Sequence, residues 1–299
     1  ILRNLSNEST VVLEEVKSHS KVKDFLALAK LRLTSLVVFS AVLGYFMAAT
    51  TVNFLSLAYL IIGGFLVTGS SNAFNQVIER EADKKMNRTS DRPLPAGRMG
   101  VSEASIMASI WGVLGIALLW FGLNPLSGIL AALSLFIYVF LYTPLKKVGP
   151  IAVFVGAFPG AIPPMLGYVA ETGSFGLIPG LLFATQFIWQ FPHFWSIAWK
   201  LHDDYAKAGY QLLPTRKRDK TSAMQIVIYA LFLIPISLAP FWFGIGGWVG
   251  FSIVLFAGVI SAILAARLFL KRDMKSATVL MFSTFIYLPV VQLAYLMSF

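Results

Sequence analysis

The sequence has no cysteine and few charged side chains, and each shortage narrows the kinds of protein it can encode. Without cysteine, the 299-residue chain can form neither disulfide bonds nor thiolate metal sites. Charged residues make up 13% of the chain, against roughly 25% in a soluble domain. Hydrophobic residues make up 57%, more apolar surface than a soluble fold of this length can bury. The composition therefore predicts an integral membrane protein.

Long uncharged runs recur along the chain at the length that crosses a bilayer as a helix, about 20 residues. They predict an all-α fold, a polytopic bundle of nine transmembrane helices. The predicted spans cover residues 35–51, 54–74, 105–123, 126–141, 151–169, 177–198, 224–243, 249–270 and 277–297. Pro159, Pro163 and Pro164 predict a break in the fifth span, because proline removes a hydrogen bond from the helix.

The positive charges are distributed in a way that predicts topology. Every Lys and Arg lies in one of five segments, 3–32, 80–98, 146–147, 200–220 and 267–275. With nine spans, all five segments face one side of the membrane. Because positively charged connectors stay in the cytoplasm, we expect the N-terminus inside and the C-terminus outside. The net charge of +10 then reflects topology and contacts with the lipid bilayer, and we expect no nucleic-acid partner.

We expect one folded unit behind a short leading segment. Residues 1–30 are predicted to form an N-terminal cytoplasmic segment, and residues 31–299 a single transmembrane domain.

A polar stripe continues the second span at its cytoplasmic end. At about 100° per helical residue, Asn72, Asn75, Glu79 and Asp83 lie within about 80° of arc. Mg²⁺ takes such ligands, usually one or two carboxylates completed by water and substrate phosphates. Nearby cations could neutralise phosphate charge: Lys84, Lys85, Arg88, Arg92 and Arg98. On spacing alone, a solvated helix end with internal ion pairs stays open as the alternative.

A second charged connector, after the sixth span, repeats this chemistry. One helix face collects Gln186, Gln190, His193, Lys200, Asp204 and Lys207, with Asp203 at its edge. Buried glutamines and a histidine can also serve helix–helix hydrogen bonds, worth about 1 kcal/mol each, so that alternative stays open. Two acidic patches at one membrane face repel unless cations lie between them, and a diphosphate bridged by Mg²⁺ satisfies both. The residues thus predict a membrane enzyme acting on a prenyl diphosphate.

Several stretches carry a resemblance to a known family. Asn75-x3-Glu79-x3-Asp83, with the M-x-R-T-x2-R-P-L run that follows, resembles the first motif of the membrane-embedded aromatic prenyltransferase (4-hydroxybenzoate polyprenyltransferase-like) superfamily. The segment 142–146 resembles its Tyr-x3-Lys element. Glu79 and the segments 156–168 and 191–214 are similar to its haem O synthase branch, which farnesylates protohaem IX. In the second motif, Lys200 stands where the superfamily commonly has an aspartate four residues before Asp204.

The resemblance implies an activity and the residues that carry it. It implies farnesyl diphosphate as donor, a vinyl group of haem B as acceptor, haem O as product and Mg²⁺ as cofactor. The expected catalytic residues are Asp83, Asp204, Tyr142 and Lys146, and the expected metal ligands are Asn75, Glu79, Asp83 and Asp204. The expected substrate-binding residues are Asn72, Lys84, Arg88, Arg92, His193, Lys200 and Asp203.

The resemblance also implies a cellular setting, and two other functions stay open. The bacterial inner membrane is the expected location, the mitochondrial inner membrane is the alternative, and a haem A synthase is a candidate partner. A prenyltransferase of the same fold acting on a quinone precursor would share the diphosphate site. A transporter would instead use Gln186, Gln190 and His193 to line a path.

Overall fold

Helices alone form the regular structure of residues 20–298, the part of the chain that the computed structural model describes. In chain order they are α1 (Lys21–Ala29), α2 (Leu31–Ala48), α3 (Phe54–Asp83), α4 (Val101–Gly122), α5 (Pro125–Phe136), a π-helical segment (Ile137–Tyr142), α6 (Thr143–Leu145), α7 (Ile151–Thr172), α8 (Leu177–Lys200), α9 (His202–Lys207), α10 (Lys220–Trp242), α11 (Trp248–Lys271) and α12 (Met274–Leu296). The all-α prediction is confirmed. Residues 1–19 of the predicted cytoplasmic segment lie outside the described residues, and the division at residue 30 stays a prediction.

Each predicted span falls on a helix, yet one helix differs from the rest. Among residues 20–298, eight helical segments are long and apolar enough to cross a membrane, and α8 is not one of them. Its hydropathy is reduced by Gln186, Gln190 and His193. It packs between α7, α10 and α12 inside the bundle, where such side chains find partners. Nine crossings and the predicted orientation stay predictions.

α7 is unbroken from Ile151 to Thr172, so the predicted break in the fifth span is wrong. The prolines do remove amide donors, but neighbouring helices supply donors to the carbonyl groups this leaves free. Ser134 Oγ donates to Pro159 O over 3.4 Å, and Gln186 Nε2 donates to Gly160 O over 2.8 Å. These carbonyls lie four residues before Pro163 and Pro164. Proline is tolerated in buried membrane helices when side chains replace its missing hydrogen bonds in this way.

The charged connectors meet at one end of the bundle. Arg98 Nε donates to Asp24 Oδ1 over 3.1 Å, which ties the connector after α3 to α1. Asp204 Oδ1 accepts from the backbone N–H of Asn87 over 2.9 Å, which ties the same connector to α9. The acidic motifs predicted to share one membrane face are therefore neighbours in space.

Glycine allows α2 and α7 to approach each other closely beside the site. A Cβ atom at Gly44 would collide with the backbone of Pro164, and one at Gly167 would collide with the backbone of Ala41. Small residues permit this kind of close contact between membrane helices. The contact brings the polar residues of α2 and α7 to the same interior space as those of α8.

Candidate active site

A cavity of about 470 Å³ lies among α2, α3, the π-helical segment, α7, α8 and α12. Most of its wall is apolar, and its main polar lining residues form two sets. The mouth cluster, next to the charged connectors, consists of Lys30, Asn75, Glu79, Tyr142 and Lys146. The inner amide group consists of Ser40, Gln186, Gln190 and Gln292. The cavity therefore joins a charged opening to an apolar body with a polar patch on its wall.

An ion pair forms the centre of the mouth cluster. Lys146 Nζ lies 2.8 Å from Glu79 Oε1, and the Glu79 side chain is only 5% exposed. The same ammonium lies 4.7 Å from the ring centroid of Tyr142. Asn75, one turn before Glu79, donates from Nδ2 to Thr143 Oγ1 over 3.2 Å. The first acidic motif and the Tyr-x3-Lys element are thus parts of a single site.

Lys30 is a member of the mouth cluster that the sequence analysis did not place in the site. Its Nζ donates to Asn75 Oδ1 over 3.3 Å, and it lines the cavity. Burial lowers the pKa of Lys30 to about 7, assisted by the positive charges of Arg92 and Lys146. In the sequence it precedes an apolar run, where a lysine commonly anchors a helix end to headgroups, so no local signal separates the two roles.

Side chains from α3 hold the turn that carries Lys30. The residue itself has a left-handed backbone, with φ of 50°, between α1 and α2. Asn72 Nδ2 donates to Ala29 O over 3.3 Å, and Gln76 Nε2 donates to Leu28 O over 2.7 Å. These bonds satisfy carbonyls at the end of α1, where the helix itself supplies no further donors, and Ala29 O also accepts from Thr34 Oγ1 over 2.7 Å. Asn72, predicted to bind substrate, therefore contacts the turn that presents Lys30.

Asp83 lies one turn beyond Glu79, behind the cavity wall. Its side chain has no exposed surface, and Arg92 Nη1 lies 2.7 Å from its Oδ2. Its other oxygen, Oδ1, is buried with no hydrogen-bond partner in residues 20–298. The structure brings these two predicted site residues together as an ion pair next to the mouth cluster.

The remaining predicted residue of the cavity mouth is Arg88. It lines the cavity, its guanidinium lies 5.1 Å from the ring centroid of Tyr205, and Nη2 donates to the Tyr205 hydroxyl over 3.3 Å. Asp204 lies beside it but does not line the cavity. Although burial opposes it, hydrogen bonds from the backbone N–H groups of Asn87 and Arg88 lower the pKa of Asp204. Its carboxylate therefore holds the two connectors together in this structure.

Besides Arg92, three more predicted substrate-binding residues lie away from the cavity lining. Lys84 Nζ pairs with Glu81 at 3.1 Å on the exposed surface. Asp203 pairs with Arg218 at 3.0 Å, and Lys200 Nζ lies 5.6 Å from the ring centroid of Phe282. In this arrangement the three side chains serve surface and packing contacts, and their predicted role in binding requires movement of the connectors.

The inner amide group is a hydrogen-bonded network that joins α2, α8 and α12 and also reaches α7. Gln292 Nε2 donates to Ser40 Oγ over 2.6 Å and to Gln186 Oε1 over 2.9 Å. Ser40 Oγ donates to the same Gln186 oxygen over 3.1 Å. Gln190 Nε2 donates to the backbone oxygens of Ala157, over 2.8 Å, and Gln186, over 3.2 Å. The residues Ser40 and Gln292 were not identified from the sequence, because a lone serine or glutamine in an apolar span has no spacing signal.

His193 lines the cavity with one ring nitrogen unengaged. Its Nδ1 lies 2.8 Å from Thr284 Oγ1, and that hydroxyl donates its own hydrogen to Met281 O over 2.6 Å. The hydroxyl must then accept from the ring, so Nδ1 carries the proton. Nε2 is left with a lone pair and forms no hydrogen bond with residues 20–298. A neutral imidazole held in this tautomer is a common metal ligand.

The acidic and amide groups at the mouth match a cation site that substrate completes. Within residues 20–298 no three His, Asp or Glu side chains converge as a metal site on their own. Mg²⁺ is usually bound through one or two carboxylates together with water and substrate phosphates. Glu79 and the unpartnered Oδ1 of Asp83, with the amide of Asn75, fit that pattern.

The charged mouth, the apolar cavity and the helical bundle together are typical of a membrane enzyme with an amphiphilic anionic substrate. Residues 37–288 match the UbiA prenyltransferase family, and the chain belongs to this family. Its relatives include a protoheme IX farnesyltransferase of Christiangramia forsetii, 47% identical over 286 residues, 94% of this chain and 95% of the relative. The protoheme IX farnesyltransferase of Cytophaga hutchinsonii is also 47% identical, over 93% of this chain and 98% of its own. The resemblance found in the sequence is confirmed.

Solved structures share the fold at low sequence identity. A digeranylgeranylglyceryl phosphate synthase structure has a TM-score of 0.78 at 20% identity, covering 93% of this chain and 98% of its own. A UbiA homolog from Archaeoglobus fulgidus bound to GPP and Mg²⁺ has a TM-score of 0.66 at 12% identity, covering 91% and 99%. The membership of the UbiA family, together with the apolar helices, makes the chain an integral membrane protein.

Proposed function

We propose that this chain transfers the farnesyl group of farnesyl diphosphate to a vinyl group of haem B and so forms haem O. The choice of haem B as acceptor is supported by the 43–47% identity, over at least 92% of the chain, to relatives named protoheme IX farnesyltransferase. The donor is supported by the site itself, a cationic mouth above an apolar cavity. A location in the bacterial inner membrane agrees with the organisms of these relatives.

Mg²⁺ is the cofactor that this proposal requires, and Asn75, Glu79 and Asp83 would hold it. When bound, it would neutralise negative charge on the departing diphosphate. The sequence also predicts Asp204 as a ligand. Its carboxylate would have to exchange the Asn87 amide for the metal, so we propose that Asp204 joins the site only when substrate brings the connectors closer.

The chain's own cations act on the leaving group. As the C–O bond of the allylic diphosphate breaks, negative charge grows on the diphosphate oxygens. Lys30, Lys146 and Arg88 line the cavity at this end and are held in place before the reaction by Asn75, Glu79 and Tyr205. Preorganised positive groups stabilise such developing charge without having to reorient. Four other charged residues are proposed to affect the diphosphate from farther away, through the charge balance of the connectors: Lys84, Arg92, Lys200 and Asp203.

Aromatic rings lie where the farnesyl cation would form. Tyr138 and Tyr142 have ring centroids 5.0 Å apart, and both line the cavity, Tyr142 as part of the mouth cluster. Ring faces attract a cation, and the surrounding apolar wall keeps bulk water from capturing it too early. We propose that Tyr142 stabilises the allylic cation until the haem vinyl group attacks it.

His193 is proposed to hold haem B. His193 lines the cavity, and its unprotonated Nε2 can ligate the haem iron, while Thr284 accepts from Nδ1 and fixes the ring. Metal-binding histidines usually have such a second partner. The ring also stacks on Trp189 with centroids 4.5 Å apart, which restricts its rotation.

Purified protein supplied with farnesyl diphosphate, haem B and Mg²⁺ tests the proposal. We expect diphosphate release and a haem with the mass of haem O. Prenylation of 4-hydroxybenzoate or a naphthoate with haem B unchanged would instead identify a quinone-pathway enzyme, and absence of diphosphate release from any acceptor mixture would favour a transporter. A haem A synthase as partner is a separate proposal, tested by co-purification from membranes.

A further inference from the structure

We propose that Gln190 and Gln292 bind the water molecule that adds to the prenylated haem cation and becomes the hydroxyl group of the product. This inference rests on the proposed function, because only a vinyl acceptor that is both farnesylated and hydrated needs such a water. It assigns a chemical role to the inner amide group, which takes no part in the proposed cleavage of the diphosphate.

The hydrogen-bond network fixes which way these amides face. Gln186 Nε2 must donate to the carbonyl of Gly160, so its Oε1 is the atom that meets Gln292. Gln292 must then present Nε2 to that oxygen, which leaves its own Oε1 without a donor. Gln190 Nε2 is committed to the carbonyls of Ala157 and Gln186, which leaves its Oε1 without a donor as well.

Among residues 20–298, two amide oxygens on the wall of an apolar cavity are thus left without a hydrogen-bond donor. The whole residues Gln190 and Gln292 are only 2% and 4% exposed, and both line the cavity. An acceptor that faces an apolar cavity without a donor is costly, and a bound water with two to four polar partners is the usual remedy. Of the molecules that the reaction uses, water alone offers two donors. Diphosphate and haem propionates are anionic acceptors, which these oxygens would repel.

The position of Gln190 places this water near the acceptor. Gln190 precedes His193 by three residues on α8, so their side chains are neighbours on one helix face. A porphyrin whose iron is held by His193 is wide enough in its plane to extend past the side chain of Gln190. A vinyl carbon at the porphyrin edge can therefore lie beside the water while the ring stays bound.

The proposed step balances with water as the only added reactant. The C–O bond of farnesyl diphosphate breaks and its electron pair leaves with the diphosphate. The vinyl π pair forms a C–C bond to farnesyl C1, which leaves a cation on the vinyl carbon attached to the porphyrin. A lone pair of water forms the new C–O bond there, while its hydrogens point at the two amide oxygens. The surplus proton passes to the released diphosphate, the strongest base that the reaction supplies.

Gln190→Leu and Gln292→Leu test this role through the identity of the product. Each removes one acceptor at nearly constant volume, so we expect the cation to lose a proton instead of gaining water. The haem product should shift toward a species lighter than haem O by one water, with the ratio of haem O to this species falling by about tenfold. Gln76→Leu is the matched control, a buried glutamine that does not line the cavity, and it should change the yield but not the ratio.

The other outcomes are equally decisive. If the wild type makes haem O and both Leu variants still make it alone, the water site is wrong while the proposed function stands. If a Leu variant makes no haem product, Gln292→Glu is the variant that tests the water site. Its neutral carboxyl group keeps both a donor for Gln186 and an acceptor for water. Recovery of haem O in Gln292→Glu supports the site, and its absence there contradicts it. Failure of the wild type to make haem O overturns the proposed function itself.

Discussion

Lys146 and Glu79 form an ion pair of 2.8 Å at the mouth of the cavity, joining the element after the π-helical segment to the acidic stripe of α3. Neither side chain is on the surface, so each charge depends on the other for compensation. Removing one partner of a buried pair leaves an uncompensated charge, which costs more than the pair contributes. The pair is therefore a sensitive place to test the site.

Glu79→Gln should abolish most turnover while the protein still inserts. The change removes a proposed Mg²⁺ ligand and frees Lys146 to bind diphosphate in an unproductive position. We expect turnover to fall by roughly 10²-fold or more, measured as diphosphate release per membrane-inserted protein. Glu81→Gln, which breaks the exposed pair with Lys84, is the control and should retain activity. Equal activity in the two variants would remove Glu79 from the site.

Lys30→Met should weaken farnesyl diphosphate binding. Its ammonium is the cation that Asn75 presents to the cavity, and its loss removes one charge-assisted contact to the diphosphate. We expect the apparent KM for farnesyl diphosphate to rise about tenfold, with the KM for haem B little changed. Lys23→Met changes an exposed lysine of α1 and should leave both values as they are. A parallel rise in both values would point to a general disturbance of the fold.

Asn72→Ala should act through Lys30. It removes the bonds to Ala29 O and Thr34 Oγ1 that hold the turn carrying the lysine. We expect a smaller rise in the same KM, and a double variant with Lys30→Met no worse than Lys30→Met alone, because residues in one network are not additive. Additive effects would mean instead that Asn72 touches the substrate directly, as the motif predicts.

Residues with a regular spacing were predictable from the sequence, whereas residues that reach the site by tertiary packing were not. Asn75, Glu79 and Asp83 share a helical period, so their common face was predictable from spacing. The Tyr-x3-Lys element was identified only through the family, since nothing local indicates that Lys146 meets α3. Lys30 and Gln292 reach the cavity by tertiary packing alone and have no spacing signal. The break in the fifth span was wrong because donors to the freed carbonyls come from other helices.

Asp83→Asn and Asp204→Asn should differ in their demand for Mg²⁺. Asp83 has a free buried oxygen, so its loss should raise the Mg²⁺ concentration for half-maximal activity by about tenfold or more. Asp204 is bonded to the Asn87 amide, so its loss should lower activity with a smaller change in that concentration. An equal shift in both variants would make Asp204 a full ligand.

Asp204 should not contribute to the pH dependence of activity near neutrality. Its pKa in the folded protein is lowered below the ordinary value of 3.8. The stabilisation that it gives is therefore complete above that value and is lost only as the pH falls through the lower folded pKa. A change in the neutral limb of the pH–activity profile of Asp204→Asn would contradict this.

Thr284 fixes the ring of His193, the proposed haem ligand, although Thr284 itself does not line the cavity. Its hydroxyl accepts from His193 Nδ1 and thereby keeps the lone pair on Nε2. Thr284→Val keeps the shape but removes that acceptor, so the imidazole can turn or change tautomer. We expect haem B affinity to fall by about 10- to 100-fold, the usual effect of losing such a partner, with an altered absorption spectrum of the bound haem. Thr185→Val removes a comparable buried hydroxyl on α8, bonded to Tyr295 at 3.2 Å, and should leave the spectrum unchanged.

His193→Ala should abolish the spectral signature of bound haem while farnesyl diphosphate binding persists. A residue that only ligates iron has no reason to affect the diphosphate at the mouth. Parallel loss of binding of both substrates would therefore make His193 a structural residue.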